Sequence, residues 1–232
     1  MKNLFLAALV LMISTQVKAA EILYIGDSHS YIASLNSTSD STRRFGHILI
    51  QGLEALGHQV SYYAACGSEP GDWVSGSSTQ CGYTMSVAGE FQAPRTASFP
   101  GIRSIYRPEQ HSHLMINLGD NMFDWRTVGS KRVASTNAAG VGRVMSNFLA
   151  KIPEATVATC SWVGPTYHLE GSNYRKSNQA VDELYVVLEA SLADKCRLID
   201  SRSMVVPVVP NDGLHHVNAD SQAWAQGVLS VF

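Results

Sequence analysis

The stretch Glu21-Ile22-Leu23-Tyr24-Ile25-Gly26-Asp27-Ser28-His29-Ser30 decides the fold. A short apolar run closed by Gly-Asp-Ser describes a buried strand that ends in a tight turn. Similar runs return at Gln59 to Ala64, His113 to Leu118, Thr156 to Val163 and Arg197 to Asp200. Between them the apolar spacing becomes helical. Phe45, Ile48, Leu49, Leu53 and Leu56 share one face, and Gly57 stops that helix. A second helix is expected from about Ser135 to Lys151, and Val181, Leu184, Tyr185, Leu188 and Leu192 mark a third. The last begins near Asn218, a suitable N-cap, and carries Trp224, Val228 and Val231 inward. Five strands alternating with helices imply an α/β fold, with a mostly parallel sheet covered on both faces. The stretch between the second and third strands reads as a Gly/Ser-rich loop, then irregular chain containing Pro94, Pro100 and Pro108.

In such sheets the working groups gather beyond the carboxyl ends of the strands. Ser28 follows the first strand with its hydroxyl exposed and its amide available. A serine needs a base, and Asp212-Gly213-Leu214-His215-His216, before the last helix, supplies a candidate in His215. Asp212, three residues earlier, can return its carboxylate to the imidazole Nδ1–H and fix the tautomer. His216 is expected on the surface. Donors for a developing oxyanion are available at the same edge: the Ser28 N–H, the Gly67 N–H after the second strand, and the Asn121 amide after the third. Asp27 and Asp120 are expected to stabilise their own turns. His29 can serve either substrate or structure.

The first residues are set apart from the fold. Lys2, the apolar run Leu4 to Ile13 and Val17-Lys18-Ala19 have the pattern of a secretory signal peptide over residues 1–19. Residues 20–232 are then expected to form one exported domain, periplasmic or secreted, monomeric and without a membrane span. Without Lys2 and Lys18 the chain keeps fifteen basic against nineteen acidic residues, a net charge of −4. With no basic patch visible, nucleic acid is not an expected partner. Four cysteines suit an oxidising compartment. Cys66 and Cys81 bracket the Gly/Ser-rich loop and are expected to pair, whereas Cys160 and Cys196 can pair or remain buried thiols. The eight histidines and four cysteines have no tight metal-ligand spacing, so no metal is expected.

The blocks Gly26-Asp27-Ser28, Gly67, Gly119-Asp120-Asn121 and Asp212-x-x-His215 resemble, in order, those of the SGNH (GDSL-like) hydrolase superfamily. The resemblance implies a flavodoxin-like three-layer αβα sandwich around a five-stranded, mostly parallel sheet. It also implies a Ser28–His215–Asp212 triad, an oxyanion hole from Ser28, Gly67 and Asn121, and no metal or cofactor. The Gly-Asp-Ser-His form of the first block is similar to that of SGNH domains acting on cell-envelope sugars. This sequence departs from the pattern at the second block, Cys66-Gly67-Ser68, and at His29, where an apolar residue is commoner. Trp73, Trp125 and Tyr167 are candidate platforms for a sugar ring, and no apolar lid for a long acyl chain is apparent. An acylated glycan or a small ester is therefore the expected substrate. Water or a sugar hydroxyl can accept the acyl group, which leaves hydrolase and O-acyltransferase both open. A non-catalytic glycan-binding module is the third reading.

Overall fold

The computed structural model describes residues 19–31, 44–78, 82–87, 90–95, 98–167, 174–205, 215–216 and 218–232, with backbone only at 87 and 90–95. Strands β1 (Glu21–Gly26) and β2 (Gln59–Ala65) flank helix α1 (Phe45–Ala55) in the chain. The short pairs β3 (Gly76–Ser77) and β6 (Phe99–Pro100), the hairpin β4 (Tyr83–Val87) and β5 (Glu90–Arg95), and helix α2 (Ile102–Ile105) come next. Then follow β7 (His113–Asn117), a second hairpin β8 (Asp124–Val128) and β9 (Lys131–Ser135), and α3 (Ala138–Leu149). The chain continues through β10 (Cys160–Val163), β11 (Tyr174–Arg175), α4 (Asn178–Leu192), β12 (Arg197–Ile199) and α5 (Asn218–Val231).

The main sheet has the order β12-β10-β7-β1-β2-β4-β5. Its first five strands are parallel, and they are the five expected from sequence. The sheet itself has seven strands, because β4 and β5 extend it antiparallel along β2. The chain expected to be irregular there pairs instead, and its Pro94 lies in the outermost strand, where a missing N–H costs no sheet bond on the open side.

The alternation of side chains along β1 creates the three layers. Leu23 and Ile25 join a core with Met145 and Phe148 of α3 and Leu184 and Leu188 of α4. Ile22 and Tyr24 face the other way, toward Phe45 and Leu49 of α1 and Trp224 and Val228 of α5. Phe45 and Trp224 stack with ring centroids 3.9 Å apart, binding those two helices together. Each such buried side chain contributes about 1.5–3 kcal/mol. Helix ends are closed locally. At α1 the His58 N–H reaches Leu53 O and the Gly57 N–H reaches Glu54 O, and α4 is capped by the Ser177 hydroxyl accepting from Ala180 N–H. No helix among the described residues is long and apolar enough to cross a membrane.

Of the two outcomes open for Cys160 and Cys196, the structure has the disulfide, which joins β10 to the residue preceding β12. A closed loop of 36 residues corresponds to about 4 kcal/mol of denatured-state restriction. Cys66 is also disulfide-bonded, while Cys81, its expected partner, lies outside the described residues.

Candidate active site

Register brings the site together. Gly26 pairs with Ala64 on one side and Asn117 on the other, so β1, β2 and β7 finish at one level of the sheet. The residues just beyond those ends are Ser28, Gly67 and Asn121.

After β1 the chain turns at once. Asp27 N–H donates to Asn117 O at 3.1 Å, and Ser30 N–H returns to Asp27 O at 3.0 Å. The Asp27 carboxylate accepts from His29 N–H at 2.9 Å, the expected turn-stabilising role. A Cβ on Gly26 would collide with the Ser30 side chain, so glycine is required by this packing. The turn presents Ser28, whose Oγ lies 2.8 Å from His215 Nε2. Arg44, just before α1, donates to the Ser28 carbonyl and braces the turn from outside. Asp212 lies outside the described residues.

His216, expected on the surface, is instead buried, with 1% of its area exposed. Its Nε2 is 2.9 Å from Thr166 Oγ1, and its ring meets the edge of Trp224. Burial lowers its pKa to about 3, with nearby His29 and Lys176 pushing the same way. A neutral, anchored His216 therefore fixes the backbone from which His215 reaches Ser28. Sequence reasoning missed this because solvent exposure of a His-His pair depends on what packs beside it.

The oxyanion candidates sit as follows. Gly67 has φ +74°, a left-handed conformation that favours glycine. Among the described residues, neither Gly67 N–H nor Ser28 N–H donates to a protein acceptor. Asn121 occupies a 3-10 turn (Asp120–Met122), and its Nδ2 donates to Ser68 O at 3.1 Å and lies 3.4 Å from Asp27 Oδ2. It thus ties the ends of all three central strands together.

Behind this edge is a buried charged cluster that the sequence did not reveal. Asp120 forms an ion pair with Lys176, and its other oxygen lies 2.9 Å from His29 Nε2, within ion-pair reach though not aligned as a hydrogen bond. All three side chains are nearly inaccessible. Asp120 therefore does more than stabilise its own turn. The His29 ring packs 4.9 Å from the His215 ring and 5.5 Å from Trp224, so its role is structural. Desolvation pulls Lys176 below the usual lysine range, opposed by Asp120. Asp27 is pushed up to about 6 by burial, against the pull of His29. Only the tertiary fold could identify Lys176, a lone lysine before the α4 cap.

The aromatic candidates divide. Trp73 is fully buried, its indole N–H on Ser68 Oγ at 3.1 Å and its ring on Phe99. It is a packing anchor that orders the Gly/Ser-rich loop, and the expectation of a sugar platform there is corrected. Trp125 is half-buried, donates to Asp120 O at 3.3 Å, and meets Tyr174 edge to face. Tyr167, next to Thr166, is half-buried and donates its hydroxyl to Asp182 at 2.7 Å. Trp125 and Tyr167 each adjoin a residue bonded into the site, with part of the ring accessible.

No family model matches the chain. Among curated proteins it is similar to Protein BcsX of Komagataeibacter xylinus, with 26% identity over 215 residues, covering 90% of this chain and 74% of that one. Among solved structures it superposes on an inhibitor-bound aryl esterase of M. smegmatis, with TM-score 0.54, 14% identity, and coverage of 91% and 98%. The lipase/acylhydrolase of Enterococcus faecalis gives TM-score 0.53 at 14% identity, covering 91% and 94%. A carbohydrate esterase family 2 enzyme of Corynascus (Myceliophthora fergusii), solved with its carbohydrate-binding domain, gives 0.54 at 16% identity. That match covers 91% of this chain and 65% of the other. The fold is the SGNH-hydrolase fold that the sequence blocks implied.

Proposed function

We propose that this protein is an exported serine esterase that removes short acyl groups, such as acetyl, from a cell-envelope glycan. The observation that carries the reading is the 2.8 Å contact between Ser28 Oγ and His215 Nε2 at the carboxyl edge of a parallel sheet. Fold neighbours described as esterases, one of them a carbohydrate esterase, support the ester chemistry and the glycan. The signal-peptide pattern and the disulfides support the location.

In this reading Ser28 Oγ attacks the acyl carbonyl carbon while His215 Nε2 takes the hydroxyl proton. The oxyanion is met by the N–H groups of Ser28 and Gly67 and by Asn121, whose amide turns from Ser68 O toward it. Collapse breaks the bond to the sugar oxygen, which leaves with the proton from His215. Water, deprotonated by the same imidazole, then releases the acid and frees Ser28. Asp212 is the proposed partner of His215 Nδ1.

A chromogenic acetyl ester and a panel of acetylated envelope polymers test the proposal. Wild type releases acetate, and Ser28→Ala loses at least about a thousandfold. Equal activity of Ser28→Ala and wild type overturns the assignment of the nucleophile. Cleavage of long-chain esters without acetate release from any glycan overturns the substrate.

A further inference from the structure

We infer that the cleft between α3 and the loop after β2 is a polysaccharide-binding groove that leads away from Ser28. The inference rests on the esterase reading and adds to it that the substrate is an extended chain instead of a single acylated sugar.

The groove begins where the site ends. Asn121 Nδ2 is bonded to Ser68 O, and the residues that follow each of these two, Met122 and Glu69, line a cleft of about 440 Å³. A second cleft, about 380 Å³, shares Val144 and Asn147 with the first and continues past Val74 to Lys151. Together they follow one side of α3 from Asn137 to Lys151, a path of about 20 Å at the rise of an α-helix. That length suits several linked sugars and exceeds the needs of an acetyl group.

The lining fits a hydroxyl-rich ligand. Half-buried Val144 supplies a small apolar surface on the cleft wall, backed by the buried Met122, Phe123 and Val141. Around it stand the Glu69 carboxylate, the Arg143 guanidinium and the Asn147 amide. Among the described residues, none of these three side chains has a protein hydrogen-bond partner. Glu69 is half-buried, and its pKa is raised by desolvation and by Asp72. A carboxylate short of water and lacking protein donors is well suited to accept from sugar hydroxyls. Arg143 and Asn147 lie four residues apart and so project from the same side of the helix. A lipid chain would gain nothing from these polar groups.

The test uses Arg143→Ala/Asn147→Ala, two exposed positions outside the core. Acetate release from an acetylated polysaccharide is compared with hydrolysis of the chromogenic acetyl ester. The expected result is a fall of at least tenfold in kcat/KM on the polymer, carried by KM, with the small ester unchanged. Retention of Ser28→Ala protein by the same polymer in an affinity gel should weaken in parallel. Unchanged polymer kinetics overturn the groove, as does an equal loss on both substrates. Wild-type protein that cleaves the chromogenic ester but no polymer also overturns it while leaving the esterase standing. Wild-type protein inactive on both substrates removes the esterase reading itself.

Discussion

The face of the site that meets solvent and the layer beneath it both use histidine, to opposite ends. In front, His215 is half-buried and touches the Ser28 hydroxyl, a contact through which a proton can pass. Beneath, His216 and His29 are buried against Trp224, with Thr166 and Asp120 as their polar neighbours. In the proposed mechanism the front changes its protonation, while the packed rear holds it in place. Adjacent residues can belong to either region because the chain at 215–216 crosses from the surface into the core.

The sharpest break comes at the front. Ser28→Ala, expected to lose at least about a thousandfold in turnover, should leave the urea midpoint within experimental error of wild type. A large loss of stability there would mean that Ser28 belongs with the rear layer.

Lys176→Met should do the reverse. It leaves Asp120 buried without its lysine, a change costing about 3–5 kcal/mol, read as a lower urea midpoint. Adding Asp120→Asn should recover much of that loss, because no unpaired carboxylate then remains. An unchanged midpoint in Lys176→Met would show that the cluster carries no net charge pairing.

Acid separates the two regions more gently. The folded pKa of His216 is about 3, below the ordinary imidazole value of about 6.5. Between these values the unfolded chain binds a proton that the folded chain does not, so stability falls as pH drops from about 6.5 toward 3. The contribution is on the order of 5 kcal/mol across the whole window. His216→Asn should show a shallower dependence of the urea midpoint on pH in that range. A dependence as steep as wild type would exclude His216 as its source.

The smallest effect is expected at Trp125, beside the site but on its accessible side. Trp125→Ala should lower kcat/KM on an acetylated glycan by about fivefold, corresponding to about 1 kcal/mol of ring contact. The chromogenic ester should be hydrolysed as before. Equal losses on both substrates would place Trp125 in the support of Asp120 and not in sugar binding.

The same contrast explains what could be read from the sequence. β1, β7 and β10 are almost wholly buried, and their apolar runs announced them. The hairpin β8–β9 is mostly half-buried or exposed, with a polar composition that gives no alternation to read. The seventh and sixth strands of the sheet were hidden by Pro94 and the surrounding polar residues. At the site, Ser28, His215 and Asn121 were legible because each follows or precedes a regular element at the active edge. Lys176 was not, since a buried lysine is defined by a distant carboxylate. Trp73 was misread because an aromatic residue in a polar loop can face either way, and only its bond to Ser68 and contact with Phe99 settle which.

The Cys160–Cys196 bridge extends the contrast to the rim of the sheet. β12 is an edge strand of three residues, too short to hold its place by main-chain bonds alone. The bridge binds its start to β10, and the chain beyond it leads to His215. Oxidation of two cysteines thereby secures this margin of the sheet. The order of this edge is consequently linked to the redox state of the surroundings in which the chain folds.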